Sequence, residues 1–277
     1  MDYPKTTWRL IHSQPARGAW NMAVDETILE ASAGGLVPPT LRLYAWEPPC
    51  LSLGYAQPFS DVLPEILRAQ GWDLVRRPTG GRAILHTDEL TYSVAGPQAE
   101  PRLAGSVLES YRVLAQALLY ALQLLAIPAQ AQEKAGTAST GSPNQNPVCF
   151  EVPSNYEITV GGKKLIGSAQ ARRKEGVLQH GSLPLYGDLT RIVQALSFPD
   201  ITARERAAVR LLERATTAER ILSYPLGWER AAQAFAQAFA HALNIQFEPE
   251  ELSPQELERA EALLGEKYAN PAWTSRV

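Results

Sequence analysis

The segment YEITVGGKKLIGSAQARRKEGVLQHGSLPL, residues 156–185, contains three strand-length runs separated by two turns. The first two runs, Tyr156–Val160 and Lys163–Ala171, flank a Gly-Gly pair, which is typical of a β-hairpin. A Lys-Glu-Gly turn then leads into the third run, Val177–Leu185. Three consecutive antiparallel strands are therefore expected, which indicates a sheet rich in antiparallel pairs.

The rest of the chain mixes strands and helices without regular alternation. Helical periodicity is clearest at Gly18–Ala33 and Val107–Leu125. Ser253 followed by a proline and, three residues on, a glutamate is typical of a capped helix start. This order indicates the α+β class, with a mixed, largely antiparallel sheet flanked by helices.

Bulk properties are those of an ordinary globular protein. Of the 277 residues, 45% are hydrophobic and 20% are charged, and the net charge of −3 argues against nonspecific nucleic-acid binding. The most apolar stretch, residues 117–127, is too short to span a bilayer, and the N-terminus has no signal-peptide pattern. Two cysteines do not suggest a secreted disulfide framework, although a Cys50–Cys149 bridge fits the count, so a reducing cytoplasm is the expected compartment.

A turn rich in arginine and glycine follows the strand predicted at Asp73–Arg77. The sequence there is RRPTGGRAILH, residues 76–86. Adjacent glycines let a ligand approach the backbone closely, and the flanking arginines suit a phosphate or a carboxylate. The alternative is a plain hairpin turn with solvated arginines, and the spacing does not match a nucleotide P-loop.

The run KLIGSA, residues 164–169, is a second candidate element. Alternation along a strand predicts that Lys164, Ile166 and Ser168 share one face and that the intervening residues share the other. A lysine among small residues on a central strand is costly to bury unless it has a task or an anionic partner. The alternative is a solvated lysine after a turn.

Cys149 is the candidate nucleophile. It follows residues 128–147, a polar stretch without periodicity that is expected to be a loop. A thiol beside a lysine ammonium is activated as the thiolate, whereas a lone cysteine is more often an inert buried side chain, a role that fits Cys50. The histidines have no metal-ligand spacing, but His86 or His180 could line a pocket or pair with a cysteine.

In this order and spacing, the motifs resemble the biotin/lipoate protein ligase family over nearly the whole chain. The resemblance is close to one branch, the octanoyltransferases of the LipM type. The resemblance implies that ATP-using lipoate ligases have Gly-Gly-Gly in the turn where this chain has Gly80-Gly81-Arg82. The resemblance implies a mixed sheet flanked by helices, related to the class II aminoacyl-tRNA synthetase core. It rests on RRPTGGRAILH (76–86), CFEVPSNYE (149–157), KLIGSAQ (164–170), HGSL (180–183) and KYANPAWT (267–274).

The resemblance implies an acyltransferase of lipoate biosynthesis. An octanoyl group would pass from octanoyl acyl carrier protein to a thioester on Cys149, whose thiol pKa Lys164 lowers. The acceptor would be a lysine of a lipoyl-domain protein such as glycine cleavage H protein or a 2-oxoacid dehydrogenase E2. No cofactor, metal, nucleic acid or membrane is implied. The expected substrate-binding residues are Arg77, Gly80, Gly81, His86, Gly167, Ser168, Ala169 and His180.

The resemblance also implies a domain division. Residues 1–248 are expected to form the catalytic domain, with its core at 35–248, and residues 249–277 a helical extension packed on it. Acidic partners would need a basic rim, for which Arg76 and the cluster Arg172 to Lys174 are candidates, unless these are only solvated.

Three other functions stay open. An amidotransferase would also use the cysteine but would take octanoyl from another lipoyl-type protein. An ATP-dependent lipoate or biotin ligase would need no cysteine nucleophile. A noncatalytic acyl-binding protein would keep the fold and form no thioester.

Overall fold

Among the residues that the structure describes, two β-sheets form the frame of the molecule. The computed structural model describes residues 3–133, 156–174 and 176–277, so Cys149 lies outside the described residues. The described strands are β1 (Thr6–His12), β2 (Thr40–Tyr44), β3 (Cys50–Leu53), β4 (Asp73–Arg76), β5 (Ile84–His86), β6 (Glu89–Gly96), β7 (Gln130–Glu133), β8 (Tyr156–Val160), β9 (Lys163–Arg172), β10 (Val177–Pro184) and β11 (Ile245–Pro249).

The larger sheet has eight strands in the order β11-β1-β2-β6-β10-β9-β8-β7. The pairs β11–β1 and β1–β2 are parallel, and the other neighbours are antiparallel. The three strands expected from residues 156–185 are β8, β9 and β10. The predicted mixed, largely antiparallel sheet is therefore confirmed.

The smaller sheet has the order β4-β3-β5, with β4 parallel and β5 antiparallel to β3. Its buried Cys50 and Val75 pack in one cluster with Met22 of the first helix and with Tyr44 of the larger sheet. The small sheet thus lies against the end of β2, and the residues between β4 and β5 form the arginine- and glycine-rich turn.

Helices cover both faces of the larger sheet. One face packs on α3 (Val107–Leu124) and α6 (Trp228–Ala242) through the main apolar core, and the other packs on α1 (Gly18–Ala33). Ser106 and Glu109 form a capping box at the start of α3, as Ser253 and Glu256 do for α7 (Pro254–Leu263). The described helices are α1 (Gly18–Ala33), α2 (Pro64–Gln70), α3 (Val107–Leu124), α4 (Ile201–Arg214), α5 (Ala218–Leu222), α6 (Trp228–Ala242), α7 (Pro254–Leu263) and α8 (Pro271–Thr274), with 3-10 turns at Phe59–Asp61 and Leu189–Gln194 and a π-helical turn at Leu264–Tyr268.

The structure departs from the sequence expectations at two strands. β7 lies inside the stretch predicted as loop from residue 128, and β11 was not expected. Both lie at edges of the sheet, where pairing to a neighbour on one side overrides a weak local pattern.

The C-terminal residues are attached to the rest of the chain by buried charges. Arg9 of β1 forms a bidentate ion pair with Glu256 of α7, at 2.6 and 2.8 Å. Lys267 and Tyr268 both donate to Glu26 of α1. These contacts join residues 254–268 to the first strand and the first helix. The division at residue 248 stays a prediction.

We expect Gly181→Ala to destabilise the fold by about 1–3 kcal/mol, the usual cost of overpacking. A Cβ at Gly181 would lie 2.6 Å from the Gly167 carbonyl oxygen and 2.8 Å from the Tyr92 ring. Urea denaturation of wild type and variant measures the free energy of unfolding. Gly265→Ala is the control, because a Cβ there meets nothing within 4 Å. Equal stability of Gly181→Ala and wild type would contradict this packing.

Candidate functional site

A cavity of about 320 Å³ lies between the larger sheet and the turn that follows β4. This volume is at the lower end of small-molecule pockets, which run from roughly 300 to 1,000 Å³. Seven of the eight residues predicted to bind substrate line it, together with Lys164; Gly80 is the exception. The lining residues are Tyr44, Trp46, Arg77, Gly81, Arg82, Ile84, His86, Thr91, Lys164, Gly167, Ser168, Ala169, His180, Gly181 and Ser182.

Lys164 is buried in the cavity wall, with 5% of its surface exposed. Its Nζ lies 3.2 Å from Oε1 of Glu157 on the neighbouring strand β8, which is buried as well. A buried ammonium needs such a partner, because desolvation otherwise favours the neutral amine. The structure thus supplies the anionic partner that the sequence required of a buried lysine.

A β-bulge determines which way Lys164 points. Ile158 pairs with Ile166, but the next residue, Thr159, pairs with Lys164, so Leu165 is one extra residue in β9. Leu165 and Ile166 both lie in the main apolar core. The prediction that Lys164 and Ile166 share a face is therefore wrong.

Beyond the bulge, Gly167 and Ala169 point to the same side as Lys164. Ala169 pairs with His180, whose side chain lies in the cavity wall. Ser168 also borders the cavity, but its hydroxyl is 2.7 Å from the Tyr92 hydroxyl, on the side of α3 and α6. The predicted grouping of Lys164 with Ser168 is therefore wrong for the same reason.

Arg77 supports the turn through the turn's own carbonyl groups. Its guanidinium donates to the Ser52 carbonyl at 2.8 Å, to Gly80 at 3.1 Å and to Arg82 at 3.0 Å. Gly81 has a φ of +96°, a conformation that glycine adopts without strain. Arg77 thus fixes the shape of the turn that forms one wall of the cavity.

Not all residues predicted to form a basic rim lie at the surface. Arg76 is fully buried and donates to the carbonyls of Gly54 and Gln57, so its assignment to a surface rim is wrong. Arg172 donates to Ser110 at 2.8 Å, and Arg173 pairs with Glu26 at 2.8 Å.

A buried carboxylate, Asp25 of α1, connects three strands of the larger sheet. It accepts bonds from Arg42 of β2 and Ser93 of β6, both at 2.8 Å. Tyr44 donates to its other oxygen at 2.9 Å, and Nδ1 of His180 lies 3.2 Å from that oxygen. Burial raises the pKa of Asp25, but the bonds from His180 and Arg42 outweigh burial and lower it, so the group is ionised.

His180 extends this network to the turn. Its Nε2 lies 2.7 Å from the Thr79 hydroxyl. Burial lowers the pKa of His180 more than Asp25 raises it, so the ring is neutral near pH 7. A neutral ring that donates from Nδ1 to ionised Asp25 accepts the Thr79 proton at Nε2. His180 thereby holds the turn against β10.

A second buried hydrogen-bond network holds His86. Its Nδ1 lies 2.6 Å from Glu89 and its Nε2 lies 2.6 Å from Ser52. Trp46 stacks on the imidazole, with ring centroids 3.9 Å apart, and donates its indole N–H to Thr91. His86 and Trp46 therefore form a fixed, largely apolar wall of the cavity.

Sequence reasoning missed Asp25, Glu157, Thr79 and Trp46. Asn21 and Asp25 are polar residues four apart in a helix that is buried on nearly all sides, and that pattern was the available signal. Glu157 lies in the quoted CFEVPSNYE motif, but only strand pairing brings it to Lys164.

Cys50 is a free, buried thiol. Burial raises its pKa well above the usual range, so it is protonated near neutral pH and inert, as predicted. Cys149, the candidate nucleophile, lies outside the described residues.

The described part of the chain contains no group of three His, Cys, Asp or Glu side chains placed to hold a metal ion. No helix among the described residues is long and apolar enough to cross a membrane.

We expect the pH dependence of stability to decrease in His180→Gln. The unfolded histidine takes up a proton below its usual pKa of about 6.5, while the buried ring does not, so wild type loses stability as the pH falls below that value. A difference of one bound proton between the unfolded and the folded state corresponds to a slope of the unfolding free energy of at most about 1.4 kcal/mol per pH unit. Urea denaturation between pH 7.5 and 5.5 measures the slope. Equal slopes for His180→Gln and wild type would refute the assignment.

Three comparisons with known proteins agree with this architecture. The family described as "Lipoyl protein ligase A/B catalytic domain" matches residues 17–240. An octanoyltransferase LipM of Kyrpidia tusciae is 43% identical over 273 residues, which cover 98% of this chain and 99% of that protein. The octanoyltransferase LipM of Lysinibacillus sphaericus is 40% identical over 97% of this chain and 98% of that protein.

The fold itself recurs in a solved structure. A bipartite lipoate protein ligase from Thermoplasma acidophilum superposes with a TM-score of 0.80 at 24% identity, covering 98% of this chain and 96% of that chain. The predicted fold class is thus confirmed. The chain belongs to the lipoyl protein ligase A/B catalytic-domain family and, within it, to the group of the octanoyltransferases LipM.

Proposed function

We propose that this acyltransferase moves an octanoyl group from octanoyl acyl carrier protein, through a thioester on Cys149, to a lysine of a lipoyl-domain protein. Near-full-length likeness to octanoyltransferases LipM supports octanoyl transfer in lipoate biosynthesis. The observation that supports the mechanism is the buried, ion-paired Lys164 in the wall of the cavity beside the glycine turn.

Lys164 would activate the thiol of Cys149. An unperturbed thiol has a pKa of about 8.5, so only a few per cent is thiolate at neutral pH. An adjacent ammonium stabilises the thiolate, and each unit of pKa depression corresponds to about 1.4 kcal/mol. Glu157 gives that ammonium an anionic partner within the buried wall. Strand β8, which begins at Tyr156 soon after Cys149 in the chain, pairs directly with the strand that carries Lys164.

The reaction would proceed in two balanced transfers. The Cys149 thiolate attacks the octanoyl thioester carbonyl, the new carbon–sulfur bond forms, and the donor thiol leaves with a proton from Lys164. This exchange of one thioester for another needs no ATP. The acceptor lysine, as the free amine, then attacks the octanoyl-Cys149 carbonyl and forms an amide. The carbon–sulfur bond to Cys149 breaks, and the proton that the amine loses returns to Lys164, which restores the thiolate–ammonium pair.

The cavity would hold the octanoyl chain. Tyr44, Trp46 and Ile84 contribute apolar surface to it. His86 and His180 also line it, and their ring nitrogens bond to protein groups on both sides. A wall whose polar atoms are already satisfied accepts an alkyl chain without leaving buried donors unpaired.

We expect intact-mass analysis of wild type mixed with octanoyl acyl carrier protein to show one octanoyl adduct on Cys149. Cys149→Ala should show no adduct and no transfer to a lipoyl-domain acceptor, whereas Cys50→Ala should behave as wild type because its thiol is buried and protonated. Turnover in Cys149→Ala would overturn the thioester route. Adduct formation only from an octanoylated lipoyl-type protein would identify an amidotransferase.

We expect Lys164→Ala to shift the pH profile of Cys149 alkylation by iodoacetamide upward by at least about one unit, a tenfold slower reaction near neutral pH. Cys50→Ala serves as the background, so that one thiol is followed. Glu157→Gln should move the profile less, because the ammonium remains. An unchanged profile in Lys164→Ala would remove Lys164 from thiol activation.

A further inference from the structure

The motif KYANPAWT, residues 267–274, takes no part in the reaction steps above, yet its second half lies against the small sheet. The Asn270 side chain caps the short helix α8, and proline follows at the first helical position, so the helix has a defined start. This helix places the half-buried Trp273 beside strand β4. We call residues 270–276 the α8 segment.

The α8 segment and the buried Arg76 bond to each other in both directions. The Trp273 indole N–H donates to the Arg76 carbonyl at 3.0 Å, and Nε of Arg76 donates to the Thr274 carbonyl at 2.9 Å. Within the described part of the chain, the Arg76 guanidinium bonds only carbonyl oxygens. Water admitted to this guanidinium would compete with those carbonyls, so the bonds depend on the cover that the α8 segment provides.

The α8 segment also fixes the loop that follows β3. We call residues 54–57 the β3 loop. Nη1 of Arg76 donates to the Gly54 carbonyl at 2.8 Å. Arg276 of the α8 segment donates to the Tyr55 carbonyl at 2.8 Å, and its guanidinium lies 3.8 Å from the centroid of the Tyr55 ring. The β3 loop is thus held by the α8 segment directly and through Arg76.

The β3 loop supports the glycine turn. The Tyr55 N–H donates to the Thr79 carbonyl at 2.8 Å. Gly54 approaches the turn so closely that a Cβ there would lie 1.9 Å from the Gly81 carbonyl oxygen. Gly81 lines the cavity, so the position of the β3 loop determines where this wall of the cavity lies.

We propose that Trp273 and Arg276 are positioning residues for acyl transfer, which hold the glycine turn in place through the β3 loop. This inference rests on the proposed function, in which the cavity holds the octanoyl chain. Lys164 lies on β9 of the larger sheet and has its own partner in Glu157. Loosening the turn should therefore weaken the binding of the acyl group more than it slows the chemical step.

Hydrogen exchange followed by mass spectrometry tests the mechanical part of the proposal. In Trp273→Ala, we expect the Tyr55 amide, which is bonded to the Thr79 carbonyl, to exchange at least about threefold faster than in wild type. Trp273→Phe should show a smaller increase, because it keeps an aromatic ring and loses only the indole N–H. Peptides from β9 and β10 should be unchanged. Exchange that is unchanged at Tyr55, or faster throughout the chain, would overturn the proposal.

The kinetic test follows acylation of Cys149 by octanoyl acyl carrier protein with intact mass. Trp273→Phe and Arg276→Gln should each raise KM about two- to fivefold and keep the maximal rate within about twofold of wild type. Arg276 is exposed, so its replacement does not threaten folding. Arg276→Lys should recover part of the loss. A lower maximal rate with an unchanged KM is the result of a smaller folded fraction and would overturn the proposal.

Holo acyl carrier protein, used as a competitive inhibitor, separates the cavity wall from carrier docking. It has no acyl chain for the cavity, so its inhibition constant should be the same in wild type, Trp273→Phe and Arg276→Gln. An inhibition constant that rises as much as KM would overturn the proposal and identify a docking surface for the carrier.

Arg259→Gln is the matched control for Arg276→Gln. Arg259 is an exposed cation of α7 that bonds Glu30 and Glu266 rather than the β3 loop. Its replacement should leave exchange, KM and maximal rate at the wild-type values. Absence of acylation in wild type would contradict the proposed function alone, because the exchange measurement on Trp273→Ala still decides whether the α8 segment holds the turn.

Discussion

The buried ion pair between Asp25 and Arg42 fixes the relative position of most parts of the site. Asp25 is fully buried and accepts bonds from three strands of the larger sheet, while His180 carries the connection to Thr79 in the glycine turn. Removing one partner of such a pair leaves an uncompensated buried charge and typically costs 3–5 kcal/mol. The Asp25 carboxylate thus takes part both in the stability of the sheet and, through His180, in the position of the glycine turn, which forms the opposite wall of the cavity.

The polar residues around the cavity have different tasks. Arg77, His86 and His180 use their polar atoms on protein groups, so they shape and stiffen the walls. Lys164 also has a protein partner, Glu157 on the neighbouring strand, and it lines the cavity to which the proposed function assigns the acyl group. Preorganised walls of this kind can hold a reacting carbonyl in place, which is where the catalytic gain of the proposed thioester route would arise.

The sequence predicted the sheet and most of the cavity because the information is local. Strand-length runs and a Gly-Gly pair specify β8 and β9, and the family motifs contain the wall residues. Two results were not accessible in this way. Leu165 is an extra residue in β9, so Lys164 lies on the opposite side of the sheet from the one that simple alternation with Ile166 predicts. The bulge is visible only in the pairing of β9 with Ile158 and Thr159. The partnership of Asp25 with His180 joins residues far apart in sequence, and no local pattern predicts it.

Arg82 stands in the turn where, as the family resemblance implies, ATP-using lipoate ligases have a third glycine. It borders the cavity on one side and, on the other, a second depression lined by Tyr55, Gly80 and Trp273. A side chain of this length takes up space beside the turn that a glycine would leave open. In the proposed function Arg82 would therefore crowd an acyl-adenylate held across the turn, whereas the exchange of one thioester for another needs no nucleotide there.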